Sequence, residues 1–377
     1  MTNALLDKKS FVGLDKYTWL FSGAETPPHV RCIEAVNEYM LNRGKGPEGR
    51  ELHTLQEQSL RRNLAKLLNG REQDIGLLSN ASECITAVVH ALELKKGDNV
   101  VINTLEYPSG VMPVLQLQQN GVEVRIVDHE NWDVSPDAMM ELVDSNTRLV
   151  MASHVSYLSG ARFDYKALYE KLNKTDTLFL LDITQSLGAV SVDMNYADFV
   201  VCSSYKWLLA VHGLGILGIN PARAEQLVPH SVGWRSVKEI FHDRRFQDYA
   251  FLEDARKFEV GYPSYPSIYA MNCSTGLLLE TGIDRIEKHI LELGGGLIRE
   301  LAGRGYQVMT PEAPEKRAGN IAISFERGGE LADVLRQQGV LVWGGDGRFR
   351  ASIHGYNDSA DIDRLLETLS DHAGSFR

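Results

Sequence analysis

Two residues in the middle of the chain have side chains that could do chemistry together. Asp182 closes one short apolar run, Leu178 to Leu181, and Lys206 stands a few residues beyond another, Phe199-Val200-Val201. In a parallel sheet the C-terminal strand ends share one edge, so both side chains would reach a single cleft. An amine and a carboxylate placed this way suit pyridoxal 5'-phosphate. The amine forms a Schiff base, and the carboxylate keeps the pyridine nitrogen protonated so that the ring can draw electrons from a carbanion at the substrate Cα. Lys206 lies between Tyr205 and Trp207 and ahead of an apolar, glycine-rich run to Gly218. Burial there would lower its pKa, which imine formation needs.

The elements around these residues alternate. Between residues 75 and 220, Val100 to Asn103, Val122 to Val127, Leu149 to Ala152, Leu178 to Leu181 and Phe199 to Val201 are apolar throughout, as strands covered on both faces are. Stretches of helical length at 110–120, 135–145 and 164–174 fill the gaps, which predicts successive right-handed βα units. Leu214 to Asn220 follows too closely for a crossover helix and is expected as an antiparallel return strand. From Pro266 the pattern changes. Helices are expected from Pro266 to Gly282, from Ile283 to about Arg304, around Leu331 to Gln338 and from Ala360 to Leu369, with strands at Asn320 to Phe325, Val340 to Trp343 and Phe349 to Ile353. The fold class is therefore α/β: a mainly parallel sheet sandwiched by helices, with a smaller C-terminal α/β domain. The expected divisions are an N-terminal segment 1–20, a large domain 21–262 and a small domain 263–377, hinged at the Pro/Tyr-rich Gly261 to Pro266.

Composition narrows the function. With 50 acidic and 39 basic residues the net charge is −11, which argues against a binder of nucleic acid or anionic membrane. The four cysteines, Cys32, Cys84, Cys202 and Cys273, lack metal-ligand spacing and are expected as reduced thiols, with no metal. No secretory signal is evident at the N-terminus, and no apolar run approaches the ~20 residues of a membrane span. A cytoplasmic protein is expected.

Three segments carry a resemblance that covers nearly the whole chain: Asp182-x-x-Gln185-Ser186-x-Gly188, Cys202 to Lys206, and Phe349 to Asn357. They resemble the class V aminotransferase family of fold-type I pyridoxal-phosphate enzymes, which includes cysteine desulfurases, kynureninases and isopenicillin-type epimerases. The resemblance implies that Lys206 is the Schiff-base lysine, Asp182 the partner of the pyridine nitrogen and Gln185 the partner of the ring oxygen. It assigns Ser203 and Tyr205 to the cofactor phosphate. Ala81 and Ser82, opening a helix after the strand-like Ile75 to Leu78, form a second phosphate element, as helix N-termini bind anions. Tyr107 would stack on the pyridine face, with Pro108 as the alternative. His154, after the third strand, is a candidate proton carrier, and Arg350 would grip a substrate α-carboxylate with two parallel hydrogen bonds. Ser22-Gly23-Ala24 aligns with the cleft entrance, and a homodimer with sites between subunits is implied.

Two departures bear on the reaction. Cysteine desulfurases carry a catalytic cysteine in a loop shortly before the arginine, whereas Val340 to Arg348 contains none. The family's Gly-Thr-Pro at the hinge, whose threonine reaches the partner's phosphate, reads Gly261-Tyr262-Pro263. The favoured activity is β-elimination from a cysteine-like amino acid, a C–S lyase or desulfhydrase. Transamination or epimerisation, including roles in secondary metabolism, is the alternative.

Overall fold

The computed structural model describes residues 2–224 and 226–372. Its first part holds β1 (Thr18–Trp19), α1 (Val30–Arg43), α2 (Pro47–Leu68), β2 (Ile75–Leu78) and α3 (Ala81–Ala91). The long α2 starts on a proline at its first turn and stops at Asn69, whose φ of 53° is left-handed. Its buried stripe, Leu60, Leu64, Leu67 and Leu68, follows the helical period.

Next come β3 (Asn99–Asn103), α4 (Pro108–Gln116), β4 (Glu123–Val127), α5 (Pro136–Glu141), β5 (Thr147–Ser153), α6 (Tyr165–Leu172), β6 (Leu178–Asp182), β7 (Phe199–Ser203), β8 (Gly215–Ile219) and α7 (Pro221–Ala224). With β2 these strands form a seven-stranded sheet in the order β2-β8-β7-β6-β5-β3-β4. Strands β3 to β7 run parallel and β8 lies antiparallel to both β7 and β2, as the short connection predicts. All five residues of β3, β7 and β8 are buried, which is why their sequences are apolar runs without alternation. The edge strand β4 is partly exposed and carries Glu123 and Arg125, charges that discourage edge pairing.

The remaining elements are α8 (Tyr265–Thr281), α9 (Ile283–Gly303), β9 (Gln307–Val308), β10 (Asn320–Ser324), α10 (Gly328–Gln337), β11 (Val340–Leu341), β12 (Trp343–Gly345), β13 (Arg348–Ser352) and α11 (Ser359–His372). A four-stranded antiparallel sheet forms in the order β12-β13-β10-β9. The expected strand Val340 to Trp343 divides at Val342. Its first half pairs in parallel with β1, and the chain then crosses to pair with β13. The expected helix 135–145 is shorter, because Asp144 Oδ1 accepts from Asn146 N at 2.8 Å and Asn99 Nδ2 at 2.9 Å and turns the chain into β5. Among the described residues no helix is long and apolar enough to cross a membrane.

Candidate active site

The C-terminal ends of β6 and β7 bring Asp182 and Lys206 together. Asp182 is buried, and burial pushes its carboxyl above the usual range, while the Thr184 side chain and amide, the latter at 2.8 Å, pull it back. Lys206 is 9% exposed, and its amine is lowered to about 8, first by burial and then by the nearby Arg350. Asp182 opposes that shift, so the buried amine has a carboxyl and a guanidinium as charged neighbours.

Motif residues fix the Lys206 loop. Gly188 has φ +99°, and a Cβ there would fall 2.3 Å from the Trp207 carbonyl, so only glycine allows this approach. The Trp207 indole donates to Gln185 Oε1 at 2.9 Å, and Thr26 Oγ1 donates to the Lys206 carbonyl at 3.0 Å. Gln185 Oε1 also accepts from Asn320 Nδ2 at 3.0 Å, and its Nε2 donates to the Gly23 carbonyl at 2.9 Å. One amide hydrogen of Gln185 is left for a ligand.

The aromatic ring of Tyr107 stands with its centroid 5.4 Å from Lys206 Nζ, and Pro108 begins α4 behind it. Tyr107 packs edge-on against Tyr157 at 4.9 Å. Ser203 ends β7 with its hydroxyl in hydrogen-bond reach of the Tyr205 phenol, whose ring stacks on His212 at 3.8 Å. Ala81 and Ser82 open α3, and Asn80 caps the helix by accepting from Glu83 N at 2.9 Å. The first amides of the helix, those of Ala81 and Ser82, have no intrahelical acceptor.

Arg350 reaches the cleft from β13. It is 3% exposed, its Nη1 donates to the Tyr157 carbonyl, and its Nε is buried without a partner. Burial and Arg348 lower its pKa, and no carboxylate among the described residues pairs with it. Gly23 lies against it: a Cβ there would fall 2.8 Å from Arg350 Nη2 and 2.4 Å from Asn320 Oδ1.

His154 is placed differently. Its ring packs on Tyr165 at 4.7 Å, its Nε2 accepts from Arg162 Nε at 3.2 Å, and its pKa is driven well down by burial. Neighbouring strand residues point to opposite faces, and Ser153 takes the side that meets Glu106. None of the polar partners of His154 is Asp182, Lys206 or Arg350 side-chain chemistry.

A family model for class-V aminotransferases matches residues 18–365. The chain belongs to this family. Among relatives, a probable cysteine desulfurase of Methanothermobacter thermautotrophicus is 28% identical, with 96% of each chain covered. The cystine C–S lyase C-DES, solved with its product cysteine persulfide, superposes with a TM-score of 0.88 at 21% identity, covering 96% of this chain and 99% of that one. A C-DES mutant with glycine covalently linked to its PLP cofactor gives a TM-score of 0.90 at 20% identity, covering 97% and 99%. These structures share the fold-type I architecture of this chain.

The residues present fit pyridoxal phosphate. A buried amine of low pKa, a buried carboxyl on the adjacent strand end, hydroxyls at Ser203 and Tyr205, free helix amides and one uncommitted Gln185 hydrogen make a complementary donor set. Two supporting residues were not singled out as site candidates from the sequence. Glu106, with its carboxyl pushed up to about 7 by burial, accepts from Asn103 Nδ2 at 2.7 Å and from Ser153 Oγ at 2.6 Å, tying β3 to β5. His354, in the third motif, bonds the carbonyl of Trp207 at 3.0 Å.

Proposed function

We propose that this protein is a pyridoxal-phosphate-dependent C–S lyase that cleaves the Cβ–S bond of a cysteine-like amino acid. The observation that carries this reading is the Lys206 amine, lowered to about 8, with the Asp182 carboxyl and an Arg350 guanidinium that has no carboxylate of its own as charged neighbours. Lys206, Asp182, Gln185, Ser203, Tyr205, Ala81 and Ser82 would hold the cofactor, which would supply an electron sink for the Cα–H bond pair. Tyr107, beside Lys206 Nζ, would pack against the cofactor ring.

Arg350 would hold the substrate α-carboxylate through two N–H donors and set the Cα–H bond toward Lys206. Lys206 Nζ, whose pKa of about 8 leaves a neutral fraction far larger than an ordinary lysine has, takes the Cα proton. The Cβ–S bond then breaks with its electron pair leaving on sulfur, and the three-carbon fragment is released as pyruvate and ammonia after reaction with water. The stretch Val340 to Arg348 has no cysteine, so sulfur leaves with the product and is not handed to a thiol of that loop. Relatives named cysteine desulfurase and the structural likeness to a cystine C–S lyase support C–S chemistry over transamination.

The enzyme is proposed to work as a cytoplasmic homodimer. Trp234, Phe241 and Tyr262 are exposed around a wide groove between α2 and the 234–262 segment, and Phe246 is exposed in the same segment, more aromatic surface than a monomer ordinarily shows to water. The test of the function is a screen of L-cysteine, cystine and S-substituted cysteines for pyruvate, ammonia and sulfur release with no second substrate. Amino transfer that requires an added keto acid, with no sulfur release, would replace the lyase reading.

A further inference from the structure

Arg350 is not alone on its strand face. Along β13, Arg348, Arg350 and Ser352 share one side, each two residues or ~7 Å apart. The inner end of this row joins the cofactor pocket, because Ser352 Oγ donates to Asn320 Oδ1 at 2.7 Å and Asn320 Nδ2 donates to Gln185. The row therefore runs outward from Gln185 through Arg350 to Arg348.

Arg348 is 1% exposed, and its Nε, like that of Arg350, is buried without a partner. Its Nη1 donates to Asp346 Oδ2 at 2.6 Å, but the Asp346 side chain is 70% exposed. Two buried guanidinium groups thus face one carboxylate that stands mostly in water. A buried charge of this kind is costly unless a counter-ion joins it. An α-carboxylate on Arg350 would leave Arg348 as it is. The side chain between them is Trp343, whose ring lies 4.6 Å from the Arg348 guanidinium carbon and 5.5 Å from that of Arg350. Tyr157, whose ring centroid lies 5.3 Å from the Arg348 guanidinium carbon and whose phenol oxygen accepts a hydrogen bond from it, stands beside Trp343, and the two rings line a path along which a substrate side chain could lie.

We propose that Arg348 is a specificity-determining residue that binds a second carboxylate at the far end of the substrate side chain. The preferred substrate class is then a thioether or disulfide amino acid ending in a carboxylate, with the scissile sulfur between the two arginines. The proposal rests on the reading of Arg350 as the α-carboxylate grip. Asp346 competes with the substrate for Arg348 and holds the guanidinium while the site is empty of substrate.

Calorimetric binding to the cofactor-loaded protein tests this without turnover, using adipate against hexanoate, matched chains with two and one carboxylates. Adipate is expected to bind roughly tenfold or more tightly. Arg348→Gln should abolish that advantage and leave hexanoate unchanged. Asp346→Asn, at a φ of 51° that asparagine accepts, should enlarge the advantage by removing the competing carboxylate, and it keeps the test decisive if Arg348→Gln does not fold. Hexanoate binding with no adipate advantage overturns the role of Arg348 alone. Equal loss of both ligands in Arg348→Gln also overturns it, as a structural effect would. Failure of both ligands to bind wild type, with Arg350→Ala indistinguishable, overturns the reading of Arg350 and this proposal with it.

Discussion

His354 Nε2 donates to the backbone carbonyl of Trp207 at 3.0 Å, one residue beyond Lys206. The other ring nitrogen, Nδ1, accepts from Gly355 N at 2.6 Å, which fixes the tautomer and makes the imidazole neutral. The ring also stacks on Tyr356 at 5.4 Å, and the Tyr356 phenol meets Ser22 Oγ at 2.5 Å. The lysine loop is therefore braced from the C-terminal sheet and from the N-terminal segment at once.

Burial lowers the His354 pKa to about 4 from 6.5. A histidine depressed in the folded state gives its full stabilisation above pH 6.5, and that stabilisation is lost as the pH falls from 6.5 through about 4. Thermal melts of wild type should fall steeply across this window, and those of His354→Gln less steeply. The variant should lose about 1–3 kcal/mol at neutral pH, because the Trp207 carbonyl and its neighbours are left poorly paired. Identical pH slopes would show that the imidazole is not held neutral.

Lys206→Ala should keep the fold and remove both turnover and the borohydride-fixable yellow colour of the loaded protein, since its amine is the group proposed to bond the cofactor. In wild type, loading of the apoprotein should speed up as pH rises through about 8, where the amine becomes neutral, and not near the ordinary 10.5. Stopped-flow absorbance measures this directly. Asp182→Asn should retain the colour and lose roughly 100-fold or more in kcat, as an unprotonated ring is a weaker electron sink. Unchanged turnover would reduce Asp182 to a turn residue bonded to Thr184.

The exposed aromatics predict a dimer. Phe246 is 88% and Phe241 84% exposed in the single chain, and both should become protected on association. Light scattering at micromolar concentration should give twice the chain mass, and Phe241→Asp with Phe246→Asp should lower it. A fully active monomer would remove the subunit interface from the account of the site.

The parallel βα units were legible because strands buried on both faces write themselves as apolar runs, as Phe199 to Val201 does. Helices α1 and α2 were not. α1 buries only Cys32 and Asn42, the buried side of α2 mixes His53, Glu57 and Arg61 with its leucines, and what covers both is α8, about 200 or more residues away in sequence. At the site, Lys206, Asp182 and Arg350 stood out by charge within apolar contexts. Glu106 and His354 did not, although His354 lies within the third motif, because each acts on backbone or on a neighbouring strand and its role follows only from the folded contacts. The expected strand beginning at Phe349 also left Arg348 outside. Strand alternation from Arg350 would have found it. His154 shows the converse: a histidine beside Asp182 in the sheet, turned by the same alternation onto Tyr165.

Arg350→Ala is the sharpest test of substrate class. The wild-type guanidinium is buried, unpaired at Nε and held by the Tyr157 carbonyl, so it is pre-oriented for a carboxylate. Its loss should raise KM for an amino-acid substrate by a factor equivalent to ~2–4 kcal/mol, with the cofactor spectrum unchanged. Arg350→Lys should recover only part of this, since a point charge cannot make two parallel bonds. Gly23→Ala should act in the same direction, because its methyl would press on Nη2 of Arg350, and it should raise KM more than it lowers kcat. Steady-state kinetics with an amino acid and with its decarboxylated amine separates the outcomes. If the amine is turned over as well as the amino acid and Arg350→Ala behaves as wild type, the guanidinium is balancing the charge of the cleft, and the α-carboxylate must be bound elsewhere.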